Sequence, residues 1–154
     1  MKLRIMRRIA AAVVLLSAGV LASAQYRIIY SATANAHADI AQAIRTASHE
    51  HKRIILDFGG NWCGDCQVLD IYMHQSPNDQ IIAKHFIVVH VDIGRMDKNV
   101  DIADKYKVPL NKGVPALAVL DSHGRLLYSQ ANGEFEAMRS MDPASVTQFL
   151  NKWD

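Results

Sequence analysis

The stretch Ile54-Ile55-Leu56-Asp57-Phe58-Gly59-Gly60-Asn61-Trp62-Cys63-Gly64-Asp65-Cys66 decides how this chain is read. Its opening is a compact apolar run that ends on two glycines, the pattern of a buried strand entering a loop. From Cys63 onward, Val68, Leu69, Ile71, Tyr72 and Met73 fall at helical spacing. Both cysteines therefore stand at a strand-to-helix turn, with Cys63 at the helix N-terminus. Unpaired backbone N–H groups and the helix dipole stabilise an anion there, lowering a thiol pKa from ~8.5 towards ~7 or below. The two-residue spacing puts Cys66 one turn inward, where it can reach back and resolve a mixed disulfide on Cys63.

Working outward, Tyr26 to Tyr30 is a short β-prone run that reads as a strand, and Ile40, Ala43, Ile44 and Ala47 give Ala36 to Glu50 an amphipathic helical face. Past Met73 the helical pattern breaks near Ser76-Pro77 and resumes for a turn or two over Asp79 to His85. Phe86 to Ile93 reads as the second buried strand, Asn99 to Tyr106 as a short helix and Ala116 to Leu120 as a third central strand. Asp121-Ser122-His123-Gly124 is a turn into a strand over Arg125 to Ser129. Asp142 ahead of Pro143 marks the start of a closing helix with Val146, Phe149, Leu150 and Trp153 inward. This order predicts an α/β fold, one mixed sheet with helices on both faces.

The first 24 residues read as a signal peptide. Lys2, Arg4, Arg7 and Arg8 precede an apolar run from Ile9 to Leu21, and Ala22-Ser23-Ala24 supplies the small residues a signal peptidase needs, placing cleavage between Ala24 and Gln25. An uncleaved membrane anchor is the alternative, but the run falls short of the ~18–20 residues that span a bilayer. Residues 25–154 then form one domain in the periplasm or outside the cell. Of the 17 Lys and Arg, 4 lie in the leader, so 13 face 15 Asp and Glu in the remainder, a net of about −2. Nucleic acid is not expected as a partner, because it calls for a clustered basic face. Two cysteines so close together would staple almost nothing, so their use is chemical.

In this setting the sequence resembles the thioredoxin family. Ile54-Ile55-Leu56-Asp57-Phe58 resembles the strand before that family's active site, with Asp57 six residues ahead of Cys63. Gly113-Val114-Pro115-Ala116 resembles its cis-proline loop, followed by an apolar strand and a turn at His123-Gly124. The resemblance covers roughly Ala38 to Trp153 and implies a thioredoxin-like fold and thiol-disulfide oxidoreductase activity. It implies that Cys63 is the attacking thiolate, Cys66 the buried resolving thiol and Asp57 a buried carboxylate assisting proton transfer at Cys66. Trp62, Val114 and Pro115 would contact substrate, while Gly64 and Asp65 would tune the potential. The only redox group expected is the Cys63–Cys66 disulfide itself.

The chain also departs from the family. Gly59 stands where the family has a tryptophan, which predicts a more open floor. The strand Ile87 to Val91 holds no lysine to pair with Asp57, and Pro109-Leu110-Asn111-Lys112 lengthens the segment before the cis-proline. A negative charge at Asp65, a few ångströms from the Cys63 sulfur, would disfavour thiolate and make the disulfide less oxidising. That favours a reductase of disulfide-bearing exported proteins, recharged by a membrane-bound electron donor. The alternative is a non-catalytic module that uses the groove to hold client proteins. A zinc site is not expected, since no second cysteine pair or close histidine pair completes four ligands. His49 and His51, two apart on a helix, point to different faces.

Overall fold

The structure, a computed structural model, describes residues 27–154. The leader and its cleavage point lie outside the described residues, as does Tyr26. Helix α1, Ala36–Glu50, opens where the Asn35 side chain accepts from the Ala38 amide and closes where His51 turns left-handed and donates back to the Ala47 carbonyl. Strand β1, Arg53–Gly59, leads into α2, Gly64–Met73, with Cys63 at its N-cap. Helix α3, Asn78–His85, follows the cis Ser76-Pro77 bond, then come β2, Phe86–Asp92, and α4, Val100–Lys105. A 3-10 turn at Leu110–Lys112 precedes β3, Ala116–Leu120, and β4, Leu126–Ser129; a second, at Met138–Ser140, precedes α5, Ala144–Trp153.

The four strands lie in the order β2-β1-β3-β4, with β1 parallel to β2 and antiparallel to β3, and β4 antiparallel to β3. This is the expected mixed sheet. Side-chain alternation along β1 sorts the core into two layers. Ile54, Leu56 and Phe58 pack with Ile40 and Ala43 of α1 and Ile102 of α4. Ile55 packs on the opposite face with Leu69 of α2 and Val146 and Leu150 of α5. Asp57 and Gly59 share the parity of Ile55, so they point towards the layer that α2 covers.

One expected element is absent. Residues 27–30 form no strand; they form a strap whose backbone is bound by a side chain. Asn61 Oδ1 accepts from the amides of Ile29 and Tyr30 at 2.9 and 3.0 Å, and its Nδ2 donates to the Tyr30 carbonyl at 2.6 Å. One asparagine thus meets three backbone groups that a strand neighbour would otherwise satisfy. Arg27 extends the attachment with an ion pair to the buried Asp70 at 2.9 Å. Replacing Asn61 by alanine should release the strap at a cost of ~1–3 kcal/mol. Hydrogen exchange would show faster exchange at the Ile29 and Tyr30 amides, and unchanged protection there would contradict the assignment.

Candidate active site

Cys63 and Cys66 form a disulfide at the seam between β1 and α2. Cys63 Sγ accepts from the Cys66 amide at 3.1 Å, one of the N–H groups that the first helical turn leaves unpaired. Exposure separates the two sulfurs' residues: Cys63 keeps 6 % of its surface accessible and Cys66 none. An incoming disulfide can therefore approach only at Cys63.

Two loops frame that opening. On one side Trp62, 42 % exposed, donates from Nε1 to the Gly94 carbonyl at 2.6 Å, and Arg95 lies over its ring. On the other, the Val114 carbonyl oxygen sits 3.5 Å from Cys63 Sγ, and the Val114-Pro115 bond is cis. Gln130, fully buried, holds this loop: Nε2 donates to the Pro115 carbonyl at 3.2 Å and Oε1 accepts from the Leu117 amide at 3.1 Å. The longer segment before the cis-proline folds into the first 3-10 turn. Leu110, Asn111 and Gly113 line a hollow of about 350 Å³ with Met96 and Val100.

Beneath the disulfide the floor is closed, not open. A Cβ on Gly59 would lie 2.6 Å from Tyr30 Cζ and 2.8 Å from Cys66 Sγ. The strap thus places a phenol ring in the room that the missing large side chain leaves. Tyr30 is fully buried, and its hydroxyl donates to Oδ2 of Asp57 at 2.9 Å. Burial first, then the charge and hydrogen bond of Asp57, push the phenol well above its usual pKa, so it remains a donor.

Asp57 is 1 % exposed, and its partner across the sheet is a histidine. His90 stands opposite Asp57 in the β1–β2 register, with Nδ1 2.9 Å from the same Oδ2. Burial lowers the imidazole pKa, but the hydrogen bond and charge of Asp57 outweigh it, and the pKa is raised overall. The sequence holds one signal for this pair: His90 is the lone polar residue inside the apolar run Phe86 to Val91. Tyr30 left no such signal, because it lies in an irregular strap outside the register of the sheet.

The expectation for Asp65 is corrected. Its side chain is met by Arg139, whose amide donates at 2.9 Å, whose Nε donates at 3.2 Å and whose Nη2 lies 3.1 Å away. Burial alone would raise the Asp65 pKa, but these bonds outweigh it and hold the carboxyl below its usual range. The Asp65 carboxylate is ion-paired with Arg139, so its charge alone does not argue for a reductase. Gly64 faces the same guanidinium, since a Cβ there would lie 3.7 Å from Arg139 Nε.

With this geometry the comparisons agree. The chain belongs to the thioredoxin-like family, whose sequence model matches residues 35–122. It is similar to the disulphide isomerase of Xylella fastidiosa Temecula1, at 34% identity and a TM-score of 0.78 over 82% of this chain and 96% of that one. The fold is shared with the germline-specific thioredoxin Deadhead of Drosophila melanogaster (24% identity, TM-score 0.55, 77% and 94% of the two chains). It is also shared with the DsbH oxidoreductase (22% identity, TM-score 0.50, 98% and 92%). No curated protein matches the chain. The expected fold class stands, and the chain has the fold and cysteine pair of a thioredoxin-like disulfide oxidoreductase.

The Asp65–Arg139 pair yields a test. In Arg139→Ala the carboxylate loses its cation, and repulsion should slow alkylation of reduced Cys63 at neutral pH several-fold. Adding Asp65→Asn should restore the rate. An unchanged rate in the single variant would show that the pair does not act on the sulfur.

Proposed function

We propose that this protein is an exported thiol-disulfide oxidoreductase whose reduced Cys63–Cys66 dithiol attacks disulfides of other exported proteins. The observation that carries the reading is the asymmetry of the pair: Cys63 is accessible at the N-terminus of α2 and accepts an amide hydrogen bond, while Cys66 is fully buried behind it. A sulfur in that position is favoured as thiolate. Its attack breaks the client S–S bond, forms a Cys63–client mixed disulfide and releases one client thiolate, which takes a proton. Cys66 then loses its proton and attacks Cys63 Sγ, releasing the second client sulfur. Two electrons pass from dithiol to client.

Trp62 and the Val114-Pro115 loop are the surfaces that would guide the client's chain to Cys63. The likeness to a disulphide isomerase supports this direction of attack, because isomerisation and reduction both begin with a reduced nucleophile on a client disulfide. The basic and apolar leader supports export, and a reductase in an oxidising compartment needs a membrane-bound donor to recharge it.

With dithiothreitol as donor and a disulfide-bonded protein as substrate, the wild type should turn over and Cys63→Ser should not. Cys66→Ser should accumulate a mixed disulfide visible on a non-reducing gel. Turnover by Cys63→Ser at the wild-type rate would overturn the proposal.

A further inference from the structure

The family match begins at residue 35, yet the floor of the redox site is built by Tyr30, five residues earlier. Three groups converge there. The Tyr30 hydroxyl and His90 Nδ1 both reach Oδ2 of Asp57 at 2.9 Å, one from the strap and one from β2. The other oxygen, Oδ1, is buried and has no hydrogen-bond partner among the described residues. Tyr30 and Cys66 Sγ both border the space that a Cβ on Gly59 would occupy. An unpartnered buried carboxylate oxygen costs free energy, and here it lies in a floor shared with a thiol that must shed a proton away from water.

We propose that Tyr30 and His90 are positioning residues acting through Asp57: together they fix Oδ2, leave Oδ1 as the base for the Cys66 thiol, and connect that base to solvent through the imidazole. The inference rests on the proposed exchange reaction and concerns its second half. The Cys66 S–H proton passes to Asp57, the Cys66–Cys63 S–S bond forms, and the Cys63–client S–S bond breaks. The client sulfur leaves with the electron pair and takes its proton from water. Once the carboxyl turns to bring that proton to the Nδ1 side, Asp57 is restored by passing it to the neutral Nε2–H tautomer of His90, whose side chain keeps 28 % of its surface exposed and gives the Nε2 proton to solvent. The client is the oxidant, so no further redox partner enters.

The imidazole accepts only when neutral, and as a cation it also weakens Asp57 as a base. Resolution should therefore quicken as pH rises through the His90 pKa. Other charges face this histidine. Asp70 of α2 raises its pKa and Arg27 of the strap lowers it. Asp39 of α1 lines the hollow on one side of the ring, and His74 and Asp79 line the one on the other. On its own strand, Asp92 is paired with Lys98 at 2.9 Å.

The test mixes the reduced protein with an aromatic disulfide that releases a coloured thiolate. One equivalent appears when Cys63 attacks, and a second when Cys66 resolves the adduct. In wild type the second phase should quicken with pH through an inflection. His90→Gln should slow it at least ~10-fold on the alkaline side and abolish the inflection. Tyr30→Phe, which keeps the ring, should slow the second phase severalfold and keep the inflection. Neither should change the first phase. A His90→Gln profile that overlays the wild type, or that is lowered equally at every pH, would overturn the inference. Should His90→Gln not fold, Tyr30→Phe decides: a slower second phase supports the inference and an unchanged one overturns it. Absence of the first phase in wild type would instead sink the proposed function.

Discussion

Asp57 is a carboxylate at 1 % exposure in the interior of a sheet, and much of the site is arranged around satisfying it. An isolated buried charge would cost several kcal/mol, so it must find partners. The register of β1 against β2 supplies His90 directly across. The absence of a side chain at Gly59, two residues along on the same face, leaves room for Tyr30 to supply the second partner. Tyr30 can do this only because Asn61 ties the strap down from the loop that also presents Trp62 and Cys63. A single electrostatic requirement thus links the segment before α1, an edge strand and the cysteine loop.

The opposite side of the disulfide is organised by backbone groups. Cys63 Sγ meets the Cys66 amide on the helix side and the Val114 carbonyl on the loop side, and Gln130 locks the loop from beneath. Arg139, from the second 3-10 turn, adds a cation over Gly64 and Asp65. The two halves of the reaction therefore see different surroundings. In the proposed reaction, attack would take place at Cys63 Sγ, between an amide and a carbonyl, and resolution would start from a buried sulfur above a phenol and the strand that carries Asp57.

Elements whose periodicity reports a packed face were legible in the sequence. The apolar positions of Ala36–Glu50 and the continuous run Ala116–Leu120 predict their elements to the residue, because burial imposes the pattern that is being read. The strap was misread as a strand because β-prone residues say nothing about whether a strand lies beside them; here the neighbour is a side chain. The reading of Asp65 was incomplete for a related reason. Its partner lies 74 residues away in an irregular stretch, and a charge read without its counter-charge gives only half of the local field. The open floor expected at Gly59 failed because a vacancy in one segment can be filled by another that no local pattern connects to it.

The central claim is that the two cysteines divide the work by position, Cys63 attacking and Cys66 resolving. Limited alkylation of the fully reduced protein near neutral pH, with the labelled peptide identified by mass spectrometry, tests this most directly. The account predicts that Cys63 is modified first and much faster, because it combines access with the N–H groups of the α2 terminus. Equal labelling of both cysteines, or faster labelling of Cys66, would contradict it.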